Sequence, residues 1–402
     1  MSITSRQKDI LSIIDGIDIT PTMYINAEKK YLQLAQFLSD NGIEAEIYPQ
    51  GSFALGTVVR PIMKGDDVAY DLDFVCQVRD QKNRLTPIEL RDKVLNILKD
   101  SKLYEENLEE YEECFTISFA DVDGVGFSID IVPAVAESND VIARLLAKSA
   151  RKDLVVSAIA IPKEEKEQYS WITSNPIGYK TWFDGINGRF NEVSKLEYRQ
   201  GLLDRNKHVF SSIQEIPEKL ERSALQRVIQ ILKLHRDIYY GFKSDGDELK
   251  PISAIINTIV AEIAITASSY VNVFELLQYV LDEMSIYSEQ QTLDEIHFAS
   301  KYDNRKLVLK KGTSWVISNP ANPEDNLADQ WTDTTARVFF MWIKAAKKDL
   351  VDSLALSDER FRISIENAFG KSVVSRSWGS KYQGLTIAKT ISDNAVAKPW
   401  KM

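Results

Sequence analysis

Cysteine is scarce in this chain, and its scarcity excludes two architectures. Among 402 residues there are only two cysteines, Cys76 and Cys114, and each lies in its own apolar run and not in a CxxC pair. A disulfide framework or a structural zinc site needs more cysteines than this, at closer spacing. The cysteine usage is that of a protein in a reducing compartment.

Long apolar runs are also missing. No stretch reaches the roughly 18 apolar residues that a membrane-spanning helix needs. The first residues, MSITSRQKDI, have neither a basic start nor an apolar signal core. We therefore expect a cytoplasmic protein without a membrane partner.

Positive charge is not in excess. The chain has 49 Lys and Arg against 59 Asp and Glu, which gives a net charge of -10. Binding a long nucleic acid requires a concentrated basic surface, so we expect small phosphorylated substrates and no obligatory nucleic acid. The 44% hydrophobic share is typical of a soluble globular protein, and 402 residues are enough for two packed lobes.

The first part of the chain mixes helix and strand patterns. Thr20-Pro21 predicts a helix start, and apolar residues at helical spacing extend from Met23 to Leu38. A second helix is predicted from Pro87 to Leu98. Period-two or continuous apolar runs predict strands. These are Ile43 to Tyr48, Ala69 to Val78, Cys114 to Phe119, Phe127 to Val135 and Leu154 to Ile161.

From Pro176 onward the patterns are almost wholly helical. The clearest predicted helix runs from Pro217 to Tyr240, with a proline in its first turn and Gly241 after its last. We therefore predict an α+β chain in which a mixed-sheet lobe, residues 1–215, packs on an α-helical lobe, residues 216–402. The other predicted helices are Pro251 to Ala267, Val273 to Met284, Asn326 to Lys348 and Asp358 to Phe369.

Two aspartates interrupt the second predicted strand, which reads YDLDFVC from residue 70 to 76. Asp71 and Asp73 are two residues apart, so both carboxylates leave the same face of the strand, about 6 to 7 Å apart. Burying two like charges without partners would cost several kcal/mol. The pattern indicates either a metal-binding pair or two side chains on a solvated face.

A third carboxylate lies in the strand FSIDIVP, residues 127 to 133, as Asp130. If this strand pairs beside the first, three carboxylates converge on one side of the sheet. Mg²⁺ prefers such oxygen ligands, and two ions together can activate a hydroxyl and neutralise a leaving pyrophosphate. Asp121 and Asp123 are rivals for this position, but the nearby Gly124 and Gly126 favour a loop there.

The segment QGSFALGT, residues 50 to 57, follows the first predicted strand. A glycine and a hydroxyl at a strand-to-helix junction present free backbone N–H groups and a serine donor to phosphate oxygens. Gln50, Gly51 and Ser52 are therefore candidate nucleotide-binding residues. A Gly-Ser pair also commonly makes only a turn.

The order of these motifs makes the sequence resemble the polymerase-β-like nucleotidyltransferases. Within them it resembles the bacterial CD-NTases, relatives of cyclic GMP-AMP synthase and oligoadenylate synthase. The resemblance extends over most of the chain and implies a bilobal fold. One departure from the family pattern is the gap of 18 residues between Ser52 and Asp71, with an extra loop at Lys64 to Asp67. The motifs that carry the resemblance are QGSFALGTVVRPI (50–62), YDLDFVCQV (70–78) and FSIDIVPAV (127–135).

The long predicted helix carries a narrow polar stripe on an otherwise apolar surface, which predicts that the stripe faces a wet cleft. By resemblance, Lys233 in this stripe binds the β and γ phosphates of a nucleotide; the alternative is an ion pair with Asp237. Ser253, at the start of the next helix, matches a serine of the family near the same phosphates, or is a plain helix-start residue. The stripe consists of Gln226, Gln230, Lys233 and Asp237.

Two further features allow more than one interpretation. The run from Ser318 to Asn326 resembles the family segment that closes the cleft, whereas its Asn and Pro residues predict a turn with Asn326 as a helix cap. Three aromatic residues lie at the crossing between lobes, where core packing is more common than stacking on a base. They are Trp171, Tyr179 and Trp182.

The resemblance implies a template-independent enzyme that condenses ATP, with or without another NTP, into a cyclic di- or trinucleotide and releases pyrophosphate. Asp71, Asp73 and Asp130 would be the catalytic residues and would hold two Mg²⁺ or Mn²⁺ ions. The biological setting implied is antiphage signalling (CBASS), in which a HORMA-domain activator and an AAA+ ATPase accompany related enzymes.

Three alternatives remain at this point. A polymerising relative would extend RNA or make linear oligoadenylate, which needs a basic groove that the net charge disfavours. A catalytically silent nucleotide sensor would not need to keep three crowded carboxylates. An antitoxin-type enzyme that transfers AMP to a protein would not need so large a helical lobe.

Overall fold

A computed structural model describes residues 1–60, 62–63, 66–67, 70–122, 125–190, 202–204, 220–302 and 305–382. The side chains of residues 62, 63, 66, 67, 120–122 and 125 lie outside this description. Within these ranges the chain forms one mixed sheet, three small two-stranded sheets and many helices.

A seven-stranded sheet forms the centre of the first part of the chain. Its strand order is β1-β4-β7-β6-β5, and β8 pairs with both β7 and β9. The pair β4–β7 is parallel, whereas the other pairs are antiparallel. Its strands are β1 Ala45–Pro49, β4 Tyr70–Gln81, β5 Leu108–Glu110, β6 Phe115–Val122, β7 Val125–Ala136, β8 Ile159–Glu165 and β9 Gln168–Ser174. The three small sheets are β2 Ile62–Met63 with β3 Asp66–Asp67, β10 Leu309–Lys311 with β11 Ser314–Val316, and β12 Ser318–Asn319 with β13 Asn322–Asn326.

The two faces of this sheet are covered differently. Alternate residues of β4 and β7, such as Leu72 and Ile129, are fully buried in a core formed with two helices, Pro21–Asp40 and Pro87–Lys99. Each of these helices has proline in its first turn, after a threonine whose side chain accepts a backbone N–H bond. The opposite face carries Asp71, Asp73 and Asp130.

Helices make up most of the described chain outside the sheet. A buried helix, Ala224–Gly241, runs through the second part and is called the spine helix below; 13 of its 18 residues are buried. The other helices are Ile3–Ile17, Gly51–Leu55, Asn139–Lys148, Lys152–Val155, Pro176–Asn187, Gly246–Leu249, Ser253–Ala264, Val273–Ile286, Glu295–Lys301, Asp333–Leu350, Asp358–Phe369 and Lys371–Trp378.

The first helix, Ile3–Ile17, packs with the last helices and not with the sheet. Ile10, Ile13 and Ile14 belong to the same buried cluster as the spine helix. The end of this helix is also joined to the start of the spine helix, because Arg222 donates to both oxygens of Asp18. The chain therefore begins in the helical part of the molecule and then builds the sheet.

Several predicted bounds were wrong. The spine helix was predicted to start at Pro217, which lies outside the described residues. Residues 221–223 are not helical, and Ser223 caps a helix that begins at Ala224. The reciprocal bonds of Ser223 and Gln226 form a capping box, which sets the helix start. The predicted lobe boundary at residues 215 and 216 also lies outside the described residues and stays a prediction.

The apolar run from Leu154 to Ile161 is not one strand. Its first residues end the short helix Lys152–Val155, and β8 begins only at Ile159. A continuous apolar run does not distinguish a buried helix from a buried strand. Asp121 was likewise expected in a loop, but β6 continues to Val122, because its pairing with β7 continues to that residue. Asp123 lies outside the described residues.

Asn326 is not a helix cap. It ends β13, where its side chain accepts the N–H of Ile317 and donates to the carbonyl of Trp315. The following helix begins at Asp333, capped by Thr332. Asparagine side chains satisfy backbone groups in turns as readily as at helix starts, so the pattern did not separate the two.

No helix within the described ranges combines the length and the apolar character that crossing a lipid bilayer requires.

Candidate active site

The strand register brings the three predicted carboxylates together. Asp73 of β4 is the direct partner of Asp130 in the parallel pair β4–β7, and Asp71 lies two residues earlier, opposite Ser128. Side chains alternate along a strand and neighbouring strands share their pleat, so all three carboxylates lie on one face of the sheet. The two strands are neighbours, which is the condition that the convergence of the three carboxylates required.

Two hydroxyl groups from the neighbouring strands bind these carboxylates. The Ser128 hydroxyl donates to Oδ1 of Asp71, and the Thr116 hydroxyl donates to Oδ1 of Asp130 at 2.5 Å. Thr116 lies on β6, directly opposite Asp130. Each hydroxyl is thus the cross-strand neighbour of the carboxylate that it binds.

Burial and mutual repulsion both raise pKa values in the site. Burial, together with the charges of Asp130 and Asp71, raises the pKa of Asp73 to about 6, although Lys233 opposes this shift. Burial also raises the pKa of Asp130 above its ordinary value, with a further contribution from Asp71, against the opposing effect of the Thr116 hydrogen bond. The site therefore holds more negative charge than its own cation compensates.

A metal ion fits the donor chemistry of this site. Three carboxylates on adjacent strands offer the oxygen ligands that Mg²⁺ prefers, and a divalent cation would relieve their repulsion. As the side chains stand, no group of three or more His, Cys, Asp or Glu residues in the described ranges is arranged to hold a metal ion. The metal assignment therefore stays a prediction.

The Gly51-Ser52 segment packs directly against Asp73. The N–H of Gln50 donates to the carbonyl of Asp73 at 2.8 Å. Gly51 has φ +61°, and a Cβ atom at this position would lie 2.2 Å from Oδ2 of Asp73. Only glycine combines this conformation with so close an approach. The segment predicted to bind phosphate therefore adjoins a predicted metal ligand.

Two of the four residues in the polar stripe on the spine helix have a different role from the one predicted. Gln226 and Gln230 are buried and donate to the carbonyls of Leu55 and Val58, at 2.9 and 2.8 Å. They hold the segment that follows Ser52 and do not face a wet cleft. Buried polar groups need such partners, and sequence periodicity does not reveal whether water or backbone supplies them.

Lys233 is the residue of the stripe that reaches a cavity. Its ammonium donates to the carbonyl of Thr57 at 3.0 Å, and Asp237 pairs instead with Arg236. Burial and the nearby Arg236 lower the pKa of Lys233 to about 8, against the opposing charges of Asp237 and Asp73. The ion pair considered as the alternative role of Lys233 is not formed.

One cavity of about 340 Å³ brings together Asp73 and all five predicted nucleotide-binding residues. The sheet contributes Asp73, and the helical part contributes Lys233 and Ser253. Besides these three residues, its lining comprises Gln50, Gly51, Ser52, Ala54, Leu55, Ser174, Asn175, Pro176, Tyr179, Lys180, Ala254, Asn257 and Asn319.

A second cavity, of about 500 Å³, contains the other two carboxylates. Its lining comprises Asp71, Tyr111, Glu112, Glu113, Cys114, Thr116 and Asp130. The three aspartates are thus shared between two cavities, with Asp73 lining the first and Asp71 and Asp130 lining the second. Such an arrangement suits a reaction between two molecules that each contact the carboxylates.

Ser253 is the first residue of its helix, and its hydroxyl is fixed by the spine helix. Arg236 donates to the Ser253 hydroxyl and to the carbonyl of Pro251, both at 3.1 Å. The serine therefore has a structural partner and also lines the cavity. Its contact with phosphate stays a prediction.

The sequence interpretation missed several residues of the first cavity. Asn257, one turn after Ser253 on the same helix, is 4% exposed, and its Oδ1 has no hydrogen-bond partner within the described part of the chain. The spacing of four residues from Ser253 was the signal available for it. Asn175 caps the Pro176–Asn187 helix and donates to the carbonyls of Leu154 and Ala321.

Of the three aromatic residues at the crossing, Tyr179 lines the cavity. Its hydroxyl bonds to that of Thr258, and its ring packs edge-on against Trp182, which is buried in the core. Trp171 is partly buried against the other core cluster.

Comparison with known proteins gives one curated relative and several structures. No protein-family model matches the chain. A c-di-GMP synthase of Roseivirga ehrenbergii is 26% identical over 336 residues, which cover 82% of this chain and 74% of that protein. The curated relative thus spans both the sheet and the helical part.

Two solved structures show the same fold. The Bradyrhizobium diazoefficiens CD-NTase CdnG, in complex with GTP, has a TM-score of 0.67 and 19% identity, covering 93% of this chain and 98% of CdnG. CdnC of E. coli MS115-1, in a complex with HORMA-deltaN, has a TM-score of 0.55 and 16% identity, covering 91% and 97%. The predicted fold class, a mixed-sheet lobe with an α-helical lobe of the polymerase-β-like type, is confirmed.

Proposed function

We propose that this chain is a nucleotidyltransferase of the CD-NTase kind, which joins nucleoside triphosphates into a cyclic di- or trinucleotide and releases pyrophosphate; a c-di-GMP synthase at 26% identity and the fold shared with CdnG support this proposal. The observation that carries the proposal is the position of the carboxylates. Asp73 and Asp130 are register partners that line two different cavities, and the cavity lined by Asp73 also contains Lys233.

In this proposal each cavity binds one of the two reacting nucleotides. Lys233, Ser253 and the backbone of Gly51 and Ser52 would hold the triphosphate of the donor nucleotide in the first cavity. The acceptor nucleotide would lie in the second cavity, with a ribose hydroxyl near Asp130. The hydroxyl oxygen forms a bond to the α-phosphorus, the bond to the β-phosphate bridge breaks, and pyrophosphate leaves.

Asp71, Asp73 and Asp130 would hold two Mg²⁺ or Mn²⁺ ions. When bound, such ions lower the pKa of the attacking hydroxyl and neutralise the charge of the leaving pyrophosphate. Asp130 would also accept the proton that the hydroxyl loses. A second transfer within the same site would close the ring.

The base specificity is open to a direct test. The resemblance implies ATP, whereas the relative at 26% identity is a c-di-GMP synthase and CdnG was solved with GTP. We therefore propose purine triphosphates as substrates, with GTP and ATP tested separately and together. GTP and ATP are both cytoplasmic metabolites, so their use as substrates would place the enzyme in the cytoplasm.

The deciding experiment incubates the pure protein with each labelled NTP, and with all four together, in Mg²⁺ or Mn²⁺. Product is then treated with phosphatase. A cyclic product is resistant because every phosphate is internal. Linear, phosphatase-sensitive chains would contradict the proposal and support an oligoadenylate-type activity. Transfer of label to protein would contradict it and support a protein-modifying enzyme.

A protein activator is the remaining part of the proposal. CdnC was solved in a complex with a HORMA protein, and an antiphage signalling system in which such a partner controls synthesis would fit this chain. The assay is therefore repeated with a HORMA-domain protein added. Absence of product under both conditions would favour a silent nucleotide sensor.

A further inference from the structure

Two hydroxyl groups on the aspartate face of the sheet have no role in the chemistry described so far. We propose that Ser128 and Thr116 are positioning residues that fix the carboxylates of Asp71 and Asp130 for binding a divalent cation. This inference rests on the proposed function for its setting, but its test does not require product formation.

The contacts follow from the strand register. Ser128 of β7 lies directly opposite Asp71 of β4, and Thr116 of β6 lies directly opposite Asp130 of β7. Side chains directly opposite each other on one face are the closest neighbours in a sheet. Each hydroxyl donates to the Oδ1 atom of its partner, so the two contacts repeat one arrangement on three adjacent strands.

Packing alone does not explain why Ser128 and Thr116 are hydroxyl residues. Ser128 is 7% exposed, and Thr116 lines the second cavity beside both carboxylates. On the other face of the same strands, the neighbouring residues Ile117, Phe127 and Ile129 are apolar and buried. A hydroxyl is thus found directly opposite two of the three carboxylates.

The hydroxyls leave half of each carboxylate available. A carboxylate has two oxygens, and a donor that engages Oδ1 fixes the side-chain torsion while Oδ2 remains a possible ligand. Partners of this kind orient metal ligands, and their loss typically weakens metal binding by about 10- to 100-fold. Asp73 is restricted differently, because the backbone of Gly51 lies against its Oδ2 atom.

The test measures Mn²⁺ binding by electron paramagnetic resonance, without turnover, in the presence of a non-hydrolysable NTP. The variants are Ser128→Ala and Thr116→Val, with Ser128→Thr and Thr116→Ser as hydroxyl-retaining partners. Ser118→Ala is the matched control, since Ser118 lies opposite Ser128 on the same face and its side chain is exposed. Thermal unfolding of every variant is measured in parallel.

We expect Ser128→Ala and Thr116→Val to bind Mn²⁺ about 10- to 100-fold more weakly. The hydroxyl-retaining variants should recover most of this loss, and Ser118→Ala should bind Mn²⁺ as the wild type does. A role in packing alone would lower the unfolding temperature and leave the Mn²⁺ affinity of the folded protein unchanged, which would overturn the proposal.

The outcomes separate this inference from the proposed function. One outcome is that the wild type makes no cyclic product while Ser128→Ala and Thr116→Val bind Mn²⁺ more weakly than the wild type does. In that case the positioning role stands and the proposed function fails. If cyclic product forms and neither variant changes Mn²⁺ affinity, the positioning role fails alone. An equal loss in Ser118→Ala would also overturn it, because the effect would then be general to this face.

Discussion

Strand β4 presents two unlike faces to the molecule. Leu72 and Phe74 point into a closed apolar core, where they are 0% and 1% exposed, whereas Asp71 and Asp73, which alternate with them, line the cavities. Burial of the first pair stabilises the fold. Burial of Asp73, together with the nearby charges of Asp130 and Asp71, raises its pKa and so opposes folding with all three carboxylates ionised.

The difference shows how one strand serves stability and chemistry at once. The apolar face anchors the backbone so firmly that like charges can be held close together on the other face. The opposite walls of the site come from elsewhere, from Gly51 and from Lys233 of the spine helix. Four variants test this separation.

The largest effect is expected from the double change Asp71→Asn and Asp73→Asn. Activity should fall by more than about 1,000-fold, because losing two ligands exceeds the 10- to 100-fold typical of their supporting residues. The unfolding temperature should stay the same or rise, since charge repulsion is removed. Product formation and thermal unfolding are measured together. Activity near the wild-type rate would contradict the metal assignment.

Leu72→Ala should have the opposite profile. Removing a fully buried leucine side chain should lower the free energy of unfolding by about 2 to 5 kcal/mol. Activity per folded molecule, measured at low temperature, should change far less than in the double aspartate variant. Urea unfolding measures the free energy of unfolding of both proteins. A loss of activity as large as that of the aspartate variant would show that the two faces are not separable.

Gly51→Ala tests the close approach to Asp73. The added Cβ would lie 2.2 Å from Oδ2, so either the segment or the carboxylate must move. A displacement of about 1 Å in an active site costs roughly 100-fold in rate. Gly185→Ala is the control, because that glycine has open space around it in an exposed part of a helix. The control should gain about 0.5 to 1 kcal/mol of stability. Wild-type kcat in Gly51→Ala would refute the contact.

Of the four variants, Lys233→Gln should have the smallest effect. Its effect on nucleotide affinity should depend on the number of phosphates in the ligand. Losing a hydrogen bond from a charged group costs about 1.5 to 3 kcal/mol, so NTP should bind about 10-fold more weakly or worse. Binding of the nucleoside monophosphate should change little. Calorimetric titration of both ligands measures the difference, and equal losses for the two would count against a triphosphate contact.

The same residue predicts a pH dependence. The pKa of Lys233 is about 8, and an ammonium is charged below its pKa. The affinity of the wild type for NTP should therefore fall as the pH rises through about 8, whereas Lys233→Gln should lack this fall. A parallel pH dependence in both proteins would assign the titration to another group.

The elements that local patterns determine were predicted well. The helix from Thr20-Pro21 and the strands around Asp71 and Asp130 are present, because capping and period-two alternation act within a few residues. The start of the spine helix was misplaced, since Pro217 is a helix-start signal but the Ser223 capping box decides the start. The role of Gln226 and Gln230 was also wrong, because periodicity identifies a polar face but not its partner.

By itself, the sequence determined that Asp71, Asp73 and Asp130 lie on the polar side of apolar strands, since alternation along a strand depends on nothing beyond it. The tertiary structure alone decided that Asp73 and Asp130 are register partners, that Gly51 lies against Asp73, and that Lys233 reaches the same cavity. These residues are far apart in the chain. Their contacts depend on which arrangement buries the most apolar surface and satisfies the most backbone groups over the whole molecule, and no local pattern contains that information.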